Sequence, residues 1–179
     1  MRKNIKILAL LFFAVIQHSF AQQKTNDKAL IHTVIEKYSE CVIKRDSVGF
    51  YDLFNGDNVI WCAAVKDRSH NKEIEVKGKD AAGNSYFTGS YKGFLRALFR
   101  HKSTEDKFDN VRITEDGTVA SVTMDYSFWA DNKMTNWGSK FLGLIKKDGQ
   151  WKITSVIYSL ELITYFAQPS LKEREQQNQ

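Results

Sequence analysis

The stretch "VASVTMDYSFWADNKMTNWGSKFLGLIKKDGQWKITSVIYSL", from Val119 to Leu160, carries the clearest structural signal in the chain. Apolar and polar residues alternate along three segments, and the turn-forming runs "DNKMTN" and "DG" separate them. Alternation with a period of two is typical of β-strands, and an Asp-Gly pair between two such runs predicts a tight hairpin. We therefore predict three consecutive antiparallel strands near the end of the domain.

The region before these strands is mainly helical in pattern. Residues 28–44 place apolar side chains three and four positions apart, which predicts a helix. Asp46 can cap a short second helix, and Ser90 can cap a third helix in "YKGFLRALFRH". Between them, the apolar run at 59–65 predicts a buried strand, and "EIEV" within polar residues 66–85 allows a return strand. Helices followed by an antiparallel sheet predict an α+β domain, with about three helices packed on a strongly bent sheet.

The N-terminus has the layout of a secretory signal peptide. A basic start and the apolar run at 7–16 precede small residues, Ser19 and Ala21, at the positions of a cleavage site. The apolar run is too short to span a bilayer. We therefore predict a signal peptide at 1–21, a mature chain that begins at Gln22, and export to the periplasm or the extracellular space. An uncleaved anchor is the alternative.

Removal of the signal changes the charge of the chain. The full sequence has a formal net charge of +5, and the predicted signal carries three of those cations and no acid, so +2 remains. A nearly balanced domain has no electrostatic footprint for nucleic acid. No long apolar run follows residue 21, so we expect no stable membrane anchor. Residues 22–167 suit one domain, and 168–179 are polar and predicted to be a disordered tail.

Cys41 and Cys62 are the two cysteines of the chain. An exported protein can form disulfides, so a bridge between them is one interpretation. Two buried free thiols are the other. Neither cysteine has a histidine at metal-ligand spacing.

The order of elements resembles the nuclear transport factor 2-like (NTF2-like) superfamily. A helix, a short helix, an apolar strand and another helix precede long strands that end in "DGQWKITSVIYS", as in its SnoaL-like and lumazine-binding-like bacterial members. The similarity covers most of Lys28 to Leu160. It implies a cone-shaped sheet with a pocket at its open end, a core position for Trp151, and a homodimer that pairs through the sheet. Because the superfamily includes isomerases, dehydratases, cyclases and ligand binders, the resemblance leaves the function open.

Side-chain alternation assigns residues to the inner face of the cone. The even-numbered residues of the strand from Val119 are apolar, and we assign the odd-numbered residues of the next two strands to the same face. A few polar groups within an apolar cleft are typical of a small-molecule pocket. The resulting pocket candidates, with two from the first helix and first strand, are Tyr38, Trp61, Met124, Tyr126, Phe128, Trp137, Phe141, Ser155 and Ser159.

Two tyrosines are candidates for chemistry, each with a simpler alternative. Tyr126 could polarise a ligand carbonyl or could be a core tyrosine bonded to the backbone. Tyr38 lies on the predicted first helix, and ketosteroid-isomerase-like members of the superfamily carry an oxyanion-binding tyrosine on that helix. The apolar neighbours of Tyr38 also favour simple core packing. Asp125 falls on the polar face, so we interpret it as a surface acid. The run at 59–65 has no inward carboxylate, which departs from the isomerase pattern and argues against general-base catalysis.

The sequence lacks the usual cofactor motifs. His32, His70 and His101 are not at mutual ligand spacing, and no Gly-rich phosphate loop or serine-elbow motif is present. We therefore expect neither a metal nor a cofactor.

Three functional hypotheses follow. The first is an exported domain that binds a small apolar or aromatic ligand in a conical pocket, without catalysis. The second is a SnoaL-like isomerase, cyclase or dehydratase, which an inward carboxylate or histidine facing Tyr126 would favour. The third is a pocketless interaction protein that dimerises through its sheet, which a cavity filled by Trp61, Trp137 and Phe141 would favour.

Overall fold

The computed structural model describes residues 27–177 as five helices and six strands. The helices are α1 (27–44), α2 (Ser47–Asp52), α3 (Asp67–Lys77), α4 (Tyr91–Leu98) and α5 (Leu171–Gln177). The strands are β1 (Ile60–Val65), β2 (Tyr86–Thr88), β3 (Thr104–Glu115), β4 (Val119–Ala130), β5 (Lys133–Lys147) and β6 (Gln150–Leu162). They form one curled, unclosed sheet in the order β2-β1-β6-β5-β4-β3, in which only the β1–β6 pair is parallel. The N-terminal helices pack on this sheet, so the predicted α+β class is confirmed.

Local hydrogen bonds explain where two of the helices begin. The Asp46 carboxylate accepts a hydrogen bond from the backbone N–H of Gly49 at 3.0 Å, which caps α2. The Ser90 hydroxyl accepts one from the backbone N–H of Gly93, also at 3.0 Å, which caps α4. Both predicted caps are confirmed.

Two-residue turns connect the long strands. Asp131 and Asn132 join β4 to β5, and Asp148 and Gly149 join β5 to β6, all four with positive φ angles. Positive φ at both central residues is the geometry that matches the twist of a hairpin. The Asp-Gly turn therefore delivers Trp151 into the core, where it is 4% exposed.

The start of α1 is tied to the β5–β6 hairpin by a buried carboxylate. Asp27 Oδ1 accepts a hydrogen bond from Trp151 Nε1 at 3.1 Å and another from Lys146 Nζ at 2.6 Å. Further along α1, the Ser39 hydroxyl donates to the Asp106 carbonyl on β3 at 2.8 Å. These contacts fix α1 across the inner face of the sheet.

Two irregularities in the strand pairing change which side chains of β5 and β6 face inward. Phe128 pairs with Asn136 and Trp129 with Met134, so Thr135 on β5 has no opposite residue. Gly143 pairs with Ser155 and Leu144 with Ile153, so Thr154 on β6 is also extra. An extra residue of this kind is a β-bulge, and it reverses the alternation beyond it.

The predicted inner faces of β5 and of the end of β6 are therefore wrong. Phe141 is 45% exposed on the outer face, and Ser155 and Ser159 lie on that face as well. Lys140 and Tyr158 point inward in their place. The assignment for β4, and for Trp151 and Ile153 before the bulge, is confirmed by their burial.

Two further sequence interpretations are corrected. "EIEV" lies in α3 rather than in a strand, and Glu73 there accepts a hydrogen bond from Lys77 Nζ, four residues on, at 2.6 Å. The predicted disordered tail is helical over Leu171–Gln177, because Arg174 bridges Asp109 and Asp125 at 3.0 Å each. The predicted signal peptide lies outside the described residues.

Cys41 and Cys62 are both free, which agrees with the interpretation of two free thiols and not with a bridge. Cys41 is buried in the core on α1. Cys62 alternates with inward-facing Trp61 and Ala63 on β1, and its side chain therefore lies on the other face of the sheet.

Candidate active-site cavity

A cavity of about 220 Å³ lies between the inner face of the sheet and α4. Its apolar walls include Trp61 on β1, Phe94 and Leu98 on α4, and Phe128 on β4. An enclosed apolar cavity of about 150 Å³ is large enough to admit benzene. The cavity thus has room for a substituted aromatic ring.

A buried ion pair lies in the wall of this cavity. Asp106 on β3 and Lys140 on β5 both line it, and their side chains are in direct hydrogen-bonding contact. Asp106 is 0% exposed and Lys140 only 3%. Burial of two charges is strongly unfavourable unless each partner compensates the other, so this pair needs a structural or a chemical explanation.

Four aromatic rings surround the Lys140 ammonium group. Its Nζ lies 4.6 Å from the ring centroid of Tyr126, 5.0 Å from that of Phe108, 5.2 Å from that of Tyr38 and 5.7 Å from that of Tyr158. The negative faces of such rings attract a cation, most strongly where water is excluded. The sheet and α1 therefore build a desolvated cation site next to an apolar cavity.

Burial controls the protonation of this site. It raises the pKa of Asp106 and lowers the pKa of Lys140, and in each case the charge of the partner opposes the shift without cancelling it. Burial, with the nearby Asp106 charge, also raises the pKa of Tyr126 and that of Tyr38 well above the ordinary tyrosine value. Burial raises the pKa of Tyr158 to about 12. The tyrosines are therefore neutral hydroxyls at physiological pH.

Two polar atoms beside the ion pair lack partners. Among residues 27–177, the Tyr38 hydroxyl and Asp106 Oδ1 are buried without a hydrogen bond. A buried polar atom without a partner is costly and calls for an explanation such as a ligand or water. Both atoms belong to residues close to Lys140, whereas two other buried atoms without a partner in the described residues, His70 Nδ1 and Glu115 Oε1, lie elsewhere.

The open side of the cavity carries a histidine. His101 follows α4 and lines the cavity, with its side chain 39% exposed. Its Nδ1 lies 3.2 Å from the Asp131 carboxylate, which orients the ring and leaves Nε2 available for other contacts. In the sequence, His101 is only the last residue of the predicted third helix, "YKGFLRALFRH", and nothing there indicates a cavity position.

The predicted pocket residues fall into three groups. Trp61, Tyr126 and Phe128 line the cavity, whereas Met124 and Tyr38 are buried in the core beside it. Trp137, Phe141, Ser155 and Ser159 belong to the outer side of the sheet. The hydroxyls of Ser155 and Ser159 accept hydrogen bonds from Gly143 N and Ser139 N, each at 3.2 Å, and Trp137 Nε1 donates to the Phe166 carbonyl at 2.9 Å.

The hydroxyl of Tyr126 is already engaged in the protein. It lies 3.0 Å from Asn136 Oδ1 and 3.1 Å from the Ser159 carbonyl oxygen. Gly138 leaves room beside the Ser159 carbonyl oxygen, because a Cβ at position 138 would lie only 2.1 Å from that oxygen. Asp125 lies on the polar face as predicted, where it pairs with Arg174.

Sequence reasoning missed the residues that give the cavity its chemistry, namely Asp106, Lys140, Tyr158, Asn136 and His101. Asp106 was missed because the alternating run "KFDNVRI", which indicates this strand in the sequence, begins only at Lys107, three residues after the start of β3. Lys140 alternates with Leu142 and Leu144, and this was a usable signal that it shares their buried face.

The described part of the chain offers little for a metal ion. Within residues 27–177, no three His, Cys, Asp or Glu side chains are close enough together to hold one. None of the helices over the same residues is long and apolar enough to cross a membrane.

The curled sheet with helices on its inner side is the NTF2-like fold, and solved structures show the same arrangement. An NTF2-like protein of unknown function from Shewanella baltica superposes with a TM-score of 0.53 at 20% identity, covering 82% of this chain and 97% of its own. One from Pseudomonas putida gives 0.54 at 14% identity, with 82% and 96% covered. A protein from Novosphingobium aromaticivorans, to which scytalone dehydratase activity is ascribed, gives 0.55 at 14% identity, with 79% and 89% covered. No family model and no curated protein matches the sequence.

Proposed function

We propose that the protein binds a small, largely aromatic molecule in the cavity between α4 and the sheet. The observation that carries this proposal is the cavity itself, which combines aromatic walls with one buried, polar pair, Asp106 and Lys140. A mostly apolar cleft with a few convergent polar groups is the usual composition of a ligand site. Trp137 and Phe141, which would have filled a solid cone, are on the other side of the sheet. The pocketless hypothesis is therefore disfavoured.

A cavity-filling substitution tests the binding proposal. Ala97 lines the cavity from α4, so Ala97→Phe should occupy the space and abolish binding. Ala29→Phe on the exposed side of α1 is the matched control, because it adds the same ring to another helix outside the cavity. Binding of a panel of aromatic compounds is followed by quenching of tryptophan fluorescence, since Trp61 is in the cavity wall. Equal binding by both variants, or no binding by the wild type, would contradict the proposal.

Catalysis of the isomerase, cyclase or dehydratase type is the second candidate. Sequence reasoning took an inward carboxylate or histidine near Tyr126 as the feature that would favour an enzyme. Asp106 is such a carboxylate, and its charge is close enough to affect the pKa of Tyr126. A carboxylate of raised pKa can accept and return a proton. Turnover of carbonyl-containing aromatic compounds that is lost in Asp106→Asn would support this candidate.

We also propose that the protein is exported. The basic start, the apolar run at 7–16 and the small residues before Gln22 support this. Expression of the full chain with its native start, followed by intact-mass measurement, should give a polypeptide that begins at Gln22. A chain that keeps residues 1–21 would contradict the proposal.

A further inference from the structure

We propose that Lys140 is an imine-forming residue, whose side chain condenses with an aromatic aldehyde in the cavity and holds it as a protonated imine against the Asp106 carboxylate. This inference rests on the proposed ligand-binding function and adds to it a chemical class of ligand and a covalent bond. Lysine amines form such bonds with carbonyl compounds wherever the neutral amine is accessible to the carbonyl carbon.

The surroundings of Lys140 favour the neutral amine needed for attack. Its side chain lies in the wall of a mainly aromatic cavity and is removed from bulk water. Burial lowers its pKa and raises that of Asp106, so transfer of a proton within the pair costs less than it would in water. A buried lysine is well suited to Schiff-base formation for this reason.

The same surroundings stabilise the product. A protonated imine keeps the positive charge at the lysine nitrogen, where the rings of Tyr126, Phe108, Tyr38 and Tyr158 lie within 5.7 Å. The Asp106 carboxylate remains as its counterion. Because the charge and its position are conserved, the cation–π contacts and the ion pair are retained while the adduct fills the apolar space.

The reaction needs no reagent other than the aldehyde, because Lys140 and Asp106 supply every proton that moves. Lys140 first gives a proton to Asp106, and the neutral amine then attacks the carbonyl carbon. The C–N bond forms as the C=O π bond opens, and one amine proton passes to the oxygen, which gives the carbinolamine. Asp106 returns the proton to the carbinolamine hydroxyl, which leaves as water as the C=N bond forms. The net change is ammonium plus aldehyde to protonated imine plus water, with the carboxylate regenerated.

One oxygen of the ion pair has no partner among residues 27–177, and its position suits these reaction steps. Asp106 Oδ2 contacts Lys140, whereas Oδ1 is buried without a hydrogen bond within the described residues. Once Asp106 is protonated, that oxygen can donate the returning proton to the carbinolamine hydroxyl, which is attached to the carbon bonded to the lysine nitrogen. The Asp106 oxygen that has no partner within the described residues thus gains one in the intermediate.

Reductive trapping with benzaldehyde tests the inference. The folded protein is incubated with benzaldehyde and sodium cyanoborohydride, which converts a protonated imine to a stable secondary amine. Proteolysis and mass spectrometry then locate the benzyl group among the lysines. We expect Lys140 to be labelled at least about tenfold faster than any exposed lysine.

Two lysine-to-arginine variants serve as a matched pair. Lys140→Arg keeps a cation beside Asp106 but cannot form an imine, and should lose the dominant label. Lys146→Arg alters another ion-paired lysine, the partner of Asp27, outside the cavity and should keep the label at Lys140. Where Lys140→Arg fails to fold, as judged by circular dichroism, the site mapping on the wild type decides alone.

Binding of benzyl alcohol, which cannot form an imine, separates this inference from the proposed function. Quenching by benzyl alcohol without preferential labelling of Lys140 would overturn the imine and leave the ligand site standing. Labelling spread over exposed lysines, with no binding of benzyl alcohol, would overturn both. Preferential labelling of Lys140 that benzyl alcohol slows by competition is the expected result.

Discussion

Asp106 and Lys140 stabilise the fold only as a pair. Removal of one partner leaves a buried charge without compensation, which costs about 3–5 kcal/mol. We expect Asp106→Ala to lower the free energy of unfolding by about this amount, as measured by urea denaturation. The double variant Asp106→Leu with Lys140→Met has no buried charge, so it should recover most of the loss. A double variant as unstable as the single one would show that the pair is not coupled in this way.

Tyr126 illustrates how a predicted ligand contact becomes a structural one. Its hydroxyl lies near Asn136 and the Ser159 carbonyl, so Tyr126→Phe should destabilise the protein by about 1 kcal/mol. The ring remains in the cavity wall, and ligand affinity should change little. Thermal unfolding and fluorescence titration measure the two effects separately. A large loss of affinity at unchanged stability would instead restore the expectation that the hydroxyl binds the ligand.

At the scale of the elements, the sequence reveals strands better than it reveals their faces. The caps at Asp46 and Ser90 and the Asp-Gly turn are local features, so short stretches of sequence suffice to predict them. The bulges at Thr135 and Thr154 arise from the pairing between strands. No local pattern within either strand indicates the extra residue. A shift of one residue exchanges the two faces of a strand.

This exchange explains why the chemistry of the cavity was missed. The pattern of β5 contains apolar residues on both faces, with Trp137 and Phe141 on one and Leu142 and Leu144 on the other. The face that carries Lys140 was assigned to the outside of the sheet, because a lysine is rarely buried without a partner. That partner, Asp106, is distant in sequence and comes from a different strand.

Asp27, Lys146 and Trp151 form the joint between the start of α1 and the β5–β6 hairpin, and this joint should be sensitive to acid. Hydrogen bonds from Lys146 and then Trp151 lower the pKa of Asp27, despite its burial. A lowered folded-state pKa contributes stability above the unfolded value near 3.8, and this contribution is lost as pH falls through the folded value. Asp27→Asn should therefore destabilise the protein at pH 7 and by less at about pH 3, because the contribution declines as pH falls below 3.8.

Urea denaturation at the two pH values measures this difference. Glu36→Gln, on the exposed side of the same helix, is the control and should have little effect at either pH. A penalty for Asp27→Asn that stays constant with pH would mean that the carboxylate charge does not stabilise the joint.

At the scale of the whole molecule, the two faces of the sheet have different roles. The inner face holds the core and the cavity, and the helices cover it. The outer face carries α5 near the β3–β4 edge, where Arg174 pairs with Asp109 and Asp125. Elsewhere it presents apolar side chains to solvent, a pattern that marks interaction surfaces when the side chains are contiguous.

The exposed apolar residues of the outer face lie in adjacent strands. Phe141 on β5 pairs directly with Ile157 on β6, which pairs in turn with Cys62 on β1, and Ile60 is two residues from Cys62. Ile60, Phe141 and Ile157 are 61%, 45% and 44% exposed. We propose that a second copy of the chain covers this strip, in keeping with the sheet-mediated pairing that the sequence resemblance implies.

A charge placed in the strip tests this proposal. If Phe141 is buried against a second copy, Phe141→Lys forces an unpaired ammonium into an apolar interface and should weaken the dimer by at least about tenfold in Kd. Val48→Lys on α2, where the side chain is 80% exposed and away from the sheet, should leave association unchanged.

Sedimentation equilibrium of the wild type and both variants measures the Kd values. A wild type that remains monomeric at high concentration, or equal dissociation of the two variants, would show that this strip does not bind a second copy. Because Phe141 faces away from the cavity, the same variant should bind the aromatic ligand normally, so that loss of dimerisation and loss of ligand binding can be assigned to opposite faces of one sheet.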